Sequence, residues 1–254
     1  MAAGTAKRYV ILGLLLYALF LLFQAPASLL AWLLPAANAE RLRLDETQGT
    51  LWHGMAGHLQ LQMAPDRVID LGRLTWNVRW NTLLRGEIAY ALDLAAGPAQ
   101  ARGIVGLGLG KWRVEDVEAT FPAELMIPFA PLLQVVRPSG TIRIHSNSFT
   151  LARNGAAGEV QLTWLGASAI LSRENPLGDY TLQVRGTPSG AQLQCDTLSG
   201  VLQIKGSGAW DRTGLQFHGS AQTQPTNREA LVDLLRLIGQ DEGNGVYRLT
   251  YGHP

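Results

Sequence analysis

The sequence predicts a mainly β protein, an N-terminal transmembrane helix followed by a curved antiparallel β-sheet domain with a few short helices. Three observations carry this expectation. No charged residue occurs between Arg8 and Glu40. Beyond that stretch, short runs alternate apolar and polar residues, the period-two pattern of strands with one buried face. Glycine, 28 of 254 residues, falls with Asn, Asp and Pro between and inside those runs, where turns, bulges and bends form.

Tyr9 to Leu34 is apolar apart from Gln24, Pro26 and Ser28. As one helix its 26 residues would reach about 39 Å, against roughly 30 Å of bilayer hydrocarbon. A cleaved signal peptide is the competing reading, because Lys7 and Arg8 resemble a basic leader and Ala37-Asn38-Ala39 a cleavage site. The run exceeds the usual signal core and continues to Trp32, which suits a membrane interface. The expected organisation is a cytoplasmic tail (1–8), an anchor (9–34), a linker (35–48) and an exported β-rich domain (49–254).

Of 21 Lys and Arg, all but Lys7 and Arg8 follow the anchor, against 20 Asp and Glu. That region is nearly neutral, and its scattered cations form no stripe for nucleic acid. The one cysteine, Cys195, excludes an internal disulfide and reads as a packing residue.

The alternating runs follow in order. Leu59, Leu61 and Met63 share a face, as do Leu74, Trp76, Val78 and Trp80, and then Ile88, Tyr90, Leu92 and Leu94. Trp112 with Val114, Ile142 with Ile144, and Val160 with Leu162 and Trp164 continue the pattern. Tyr180 to Val184, Leu198 to Ile204, Leu215 with Phe217, and Val246 to Tyr251 complete it. Two segments interrupt. Phe121 to Arg137 is apolar with Pro122, Pro128 and Pro131, so only short helical pieces are expected. Asn227 to Ile238 reads as an amphipathic helix, with Thr226 and Glu229 as a capping box and Gly239 as C-cap. Each interruption follows a group of strands and precedes another strand, which suggests two related sub-sheets, 49–145 and 146–254.

Several short motifs stand out: Gly49-Thr50-Leu51-Trp52-His53-Gly54, Pro138-Ser139-Gly140, Pro176-Leu177-Gly178-Asp179-Tyr180, Gly206-Ser207-Gly208-Ala209-Trp210, and Gly245-Val246-Tyr247 after the Leu-rich helix. With the N-terminal anchor, this combination resembles the type II secretion system protein N family, and more distantly AsmA-like proteins. Family members often carry a small residue where this chain has His53. The resemblance implies a single-pass inner-membrane protein with a cytoplasmic N-terminus and a periplasmic domain. It implies partners among the inner-membrane and periplasmic secretion components, and an accessory role in their machine. Gly49, Leu51, Trp52, Gly54, Pro176, Gly178, Tyr180 and Trp210 are the motif residues and candidate contacts.

Chemistry-bearing patterns are weak. Gly106-Leu107-Gly108-Leu109-Gly110-Lys111 resembles a phosphate loop, but Trp112 stands where Ser or Thr is needed. His53, His58, His145, His218 and His253 show no ligand spacing. No nucleophile elbow occurs. Neither enzyme activity, cofactor nor metal is expected. The main reading is a scaffold that acts through protein contacts, with the apolar segment Phe121 to Arg137 and the strand edges as surfaces. The alternative is a lipid or apolar-ligand module whose groove is lined by Trp76, Trp80, Trp112 and Trp164.

Overall fold

The alternating runs pair with their neighbours into one antiparallel sheet. A computed structural model describes residues 2–29, 41–64, 66–108, 110–153 and 155–252. The strands are β1 (Leu42–Gly49), β2 (His53–Ala64), β3 (Arg67–Asp70), β4 (Arg73–Val78), β5 (Ile88–Ala95), β6 (Gln100–Gly108) and β7 (Lys111–Pro122). They continue with β8 (Pro138–Ala152), β9 (Gly155–Ala169), β10 (Gly178–Thr187), β11 (Gly190–Gly200), β12 (Leu202–Asp211), β13 (Gly214–Thr223), β14 (Gln240–Gly243) and β15 (Val246–Tyr251). The order follows the chain from β1 to β13, with β3 set beside β2 off the path and β15 preceding β14 at the far edge. The sheet is open, and β8 carries it unbroken between β7 and β9.

Because neighbours are antiparallel, connections alternate between two ends of the strands. One end carries the turn at Thr50 to Trp52, the 3-10 turn Trp80–Arg85, and the hairpins β6–β7, β8–β9, β10–β11 and β12–β13. The other carries the 3-10 turn Ala123–Phe129, helix α2 (Pro131–Val136), and the connections after β9, β11 and β13, the last including helix α3 (Arg228–Ile238). The segment Phe121 to Arg137 forms the expected short pieces: Pro128 lies within the turn Ala123–Phe129, and Pro131 opens the next.

The turn Ala123–Phe129, α2 and α3 each bury apolar residues. Leu231, Leu234 and Leu235 of α3 pack on Leu202, Ala221 and Tyr247. Leu125, just after β7, joins Leu61 of β2 in a second cluster. β2 lies four positions from β7 in the strand order, roughly 19 Å along a flat sheet, so this contact requires the sheet to curl.

Helix α1 (Ala2–Phe23) revises the expected anchor. The chain leaves the helix before Pro26, and Ala25, Pro26 and Ala27 lie against the turn at Thr50 instead of continuing the run. The cause is Pro26, which has no N–H for the helix ladder and disfavours helical backbone before it. The uncharged helical stretch Tyr9 to Phe23, 15 residues, reaches about 22 Å. Among the described residues no helix is long and apolar enough to cross a membrane. The rest of the expected anchor, residues 30–34, lies outside the described residues.

Three local expectations also change. Trp80 leaves the strand pattern and opens a 3-10 turn. Thr226 lies in a 3-10 turn, Pro225–Asn227, that runs directly into α3, and no side chain caps the helix. Gly239 is the C-cap of α3 as expected, its amide donating to the Leu235 carbonyl (2.9 Å), but its backbone is extended rather than left-handed; a Cβ there would sit 2.7 Å from the Arg248 carbonyl oxygen, so close strand approach explains the glycine.

Candidate functional site

The Gly49 to Gly54 motif joins helix to sheet. Gly49 takes φ +91°, a conformation that favours glycine. The Thr50 amide donates to the His53 carbonyl (2.8 Å), and Thr50 Oγ1 accepts from the amides of Trp52 (3.3 Å) and His53 (3.2 Å). The chain leaving α1 docks on this turn: the Leu51 amide donates to the Ala25 carbonyl (2.8 Å), and the Ala27 amide to that of Gly49 (3.2 Å). Trp52 Nε1 donates to the Leu22 carbonyl of the last helical turn (2.9 Å). That carbonyl also accepts from the Ala25 amide (3.2 Å).

The indole of Trp52 also stacks in a tilted trio, with ring centroids 6.3 Å from Phe23 and 5.3 Å from Trp80, and Phe23 is 5.8 Å from Trp80. Trp76 lies beneath, 3% exposed, donating Nε1 to the Thr50 carbonyl (3.1 Å) and packing with Ala27 and Ala56. A Cβ on Gly54 would lie 2.7 Å from the Trp76 ring. Beyond the trio the turn Trp80–Arg85 presents Leu83 and Leu84 to solvent, Leu84 at 93% exposure.

The Pro176 to Tyr180 motif has a different place. Leu177 is buried and its carbonyl accepts from the amides of Val201 and Leu202. Gly178 takes φ +155°. Asp179 accepts from the Gly166 amide (2.7 Å) and from Ser199 Oγ (3.0 Å). Tyr180 donates its hydroxyl to the Leu202 carbonyl (2.9 Å), and burial raises its phenol pKa. Together these residues clasp β9 to β12. In the Gly206 to Trp210 motif, Gly206 and Gly208 leave room for the Phe217 ring, and Trp210 is exposed at the end of β12.

The four tryptophans read as a groove occupy separate environments. Trp76 is buried under the helix-docking turn, and Trp80 sits in the trio. Trp112 is exposed at the β6–β7 hairpin, and Trp164 packs against Tyr180 and donates to the Ser139 carbonyl (3.0 Å). One concavity, about 800 Å³, is lined by Trp76 and Leu92 and also by His53, Asp93, Arg102, Glu118 and His145. Its lining mixes ionisable side chains with apolar ones.

Several charged side chains form ion pairs at the surface, among them Arg102 with Glu118 and Arg185 with Glu159. Glu87 is buried between Lys111 and Arg113. His58 Nδ1 lies 2.5 Å from Asp70, which raises the imidazole pKa, while the Gly72 amide and His58 lower that of Asp70. Burial raises the Cys195 thiol pKa, keeping it protonated. Among the described residues no group of His, Cys, Asp and Glu could hold a metal ion.

The sequence reading missed Leu83 and Leu84, although an adjacent apolar pair between Asn81-Thr82 and Arg85-Gly86 breaks the period-two pattern and marks a turn with unburied apolar side chains. It also missed Phe23 as a sheet contact, which no local pattern encodes. At the opposite end, Phe129, Leu132 and Val135 are about half exposed, and Ile170, whose amide donates to the Val136 carbonyl, extends that patch.

These features define a class of protein: an open antiparallel sheet with an apolar N-terminal helix fastened to one end and an exposed aliphatic patch at the other. Residues 40–250 match the family described as type II secretion system (T2SS), protein N. The chain belongs to that family, and hence has a role in type II secretion. It is 26% identical over 231 residues to type II secretion system protein N of Vibrio cholerae, covering 84% of this chain and 85% of that protein. It is 32% identical over 252 residues to the protein of that name from Klebsiella pneumoniae, covering 93% and 91%. No solved structure matches it.

Proposed function

We propose that this protein is an accessory inner-membrane component of the type II secretion machine. Helix α1 seats it in the membrane, with the N-terminus cytoplasmic and the sheet periplasmic, and the sheet works through protein contacts. The observation that carries the contact reading is the patch of Phe129, Leu132, Val135 and Ile170 at the end away from α1. Exposed apolar clusters of this kind are the usual cores of protein interfaces. The outermost strands β1 and β14 have charged residues, and β14 is short, features that discourage indiscriminate edge pairing. A side-chain patch is therefore the better contact surface.

A photo-crosslinking residue at Leu132 or Val135 in secreting cells is expected to capture inner-membrane or periplasmic subunits of the machine. Leu132→Ser with Val135→Ser should reduce secretion while the protein accumulates normally. No adduct at either position, with secretion unchanged in the double variant, would overturn the reading. The lipid-module alternative gains little support from the tryptophans, since Trp76 and Trp112 line different concavities and Trp164 packs against Tyr180.

A further inference from the structure

We propose that the end of the sheet from which α1 leaves lies flat on the bilayer surface, as a rim of aromatic and basic hairpin tips. This rests on the reading of α1 as a membrane helix. The register brings to one end the turn at Thr50 to Trp52, the turn Trp80–Arg85 and the hairpins β6–β7, β8–β9, β10–β11 and β12–β13. The end of β15 lies there too, since Tyr251 pairs with Phe217 near the start of β13.

Every exposed Trp or Tyr of the sheet among the described residues is at this end: Trp80, Trp112, Trp210 and Tyr251. The exposed apolar residues of the opposite end are aliphatic, with Phe129. That segregation matters, because Trp and Tyr favour the headgroup level, where the ring is shielded and the polar edge stays hydrated. Cations accompany the aromatics: Arg79, Arg153 and Arg212 are exposed at the same tips, with the sign that anionic lipid headgroups attract.

The helix gives the rim a mechanical reason. From Tyr9 to Phe23 it reaches only about 22 Å, short of the roughly 30 Å hydrocarbon core. A bilayer can thin to meet a short segment at modest cost. Leu83 and Leu84, beside Phe23 through the Trp52 and Trp80 rings, would enter the interface where the helix ends. Drawing the sheet onto the lipid reduces the distance α1 must bridge.

The test uses the full chain with Cys195→Ser, reconstituted in phosphatidylethanolamine and phosphatidylglycerol vesicles. Single cysteines at Leu84, Trp210, Glu174 and Leu16 carry an environment-sensitive nitrobenzoxadiazole label, with or without nitroxide lipids, headgroup-level for the three sheet positions and mid-acyl-chain for Leu16. Expected are blue-shifted emission and loss of roughly half the signal to nitroxide at Leu84 and Trp210, as for groups at the headgroup level, with neither at Glu174. Quenching at Leu16 while Leu84 and Trp210 behave like Glu174 would overturn the rim and leave the membrane helix standing. No quenching at Leu16 would overturn the membrane helix and the rim with it. Quenching at Leu84 alone would confine contact to the helix end and overturn the rim. A blue shift without quenching would mean protein covers these tips, which also overturns it.

Discussion

Replacing Trp52 with alanine should loosen α1 from the sheet without unfolding the sheet. The substitution removes the indole hydrogen bond to the Leu22 carbonyl (2.9 Å) and the ring contacts with Phe23 and Trp80. The hydrogen bond is worth about 1 kcal/mol net, and each aromatic pair about 0.5 to 1.5 kcal/mol beyond area. Solvent access puts the sum near the low end, about 2 kcal/mol, which is roughly a thirtyfold change in the opening equilibrium. The backbone bonds from Leu51 to Ala25 and from Ala27 to Gly49 remain, so the helix opens more often rather than detaching. Native-state hydrogen exchange reads this directly, as a loss of protection at the amides of Leu51 and Ala27. Trp52→Phe keeps a ring and loses the bond, and should cost about 1 kcal/mol, roughly fivefold. Global melting should barely move, because Trp52 belongs to none of the three buried clusters. Protection at both amides in Trp52→Ala within about twofold of the parent would refute the reasoning.

Other predictions concern the sheet. Leu235→Ala, fully buried between α3 and the strands, should lower unfolding stability by about 2 to 5 kcal/mol in denaturant titration. Gly54→Ala places a Cβ 2.6 Å from the Gln48 carbonyl oxygen and 2.7 Å from Trp76, and should cost about 1 to 3 kcal/mol by the same assay. His58 and Asp70 stabilise each other in a pH window. The contribution of His58, with its pKa raised above 6.5, is present below that value and lost as pH rises through the raised pKa. That of Asp70, lowered below 3.8, is present above that value and lost as pH falls through the lowered pKa. NMR titration of the His58 ring should give a midpoint above 6.5 that returns toward it in Asp70→Asn; a midpoint at or below 6.5 in the parent would contradict the pairing.

The strands were legible because their cause is local. Alternation at Leu59 to Met63 or Tyr180 to Val184 records one dry face, whatever lies across it. The prolines of Phe121 to Arg137 limited helix length by the same local logic. The candidate site was legible only as motifs. Gly49 to Gly54 announced a tight turn, but its partner, the Leu22 carbonyl, lies 30 residues away from Trp52. The four tryptophans looked alike in strand runs, yet their environments range from the Trp76 core to the open hairpin of Trp112, because face alternation does not say how far along the sheet, or at which end, a side chain lies.

By itself the sequence determined a β protein behind an apolar N-terminal segment, with glycine-marked turns and no visible catalytic set, since periodicity and backbone permissiveness act over a few residues. Only the tertiary structure decided what the chain leaving that helix docks on, which tryptophan holds it, and which tips share an end. Those depend on antiparallel register summed across 14 consecutive strand positions and on contacts between residues far apart in the chain.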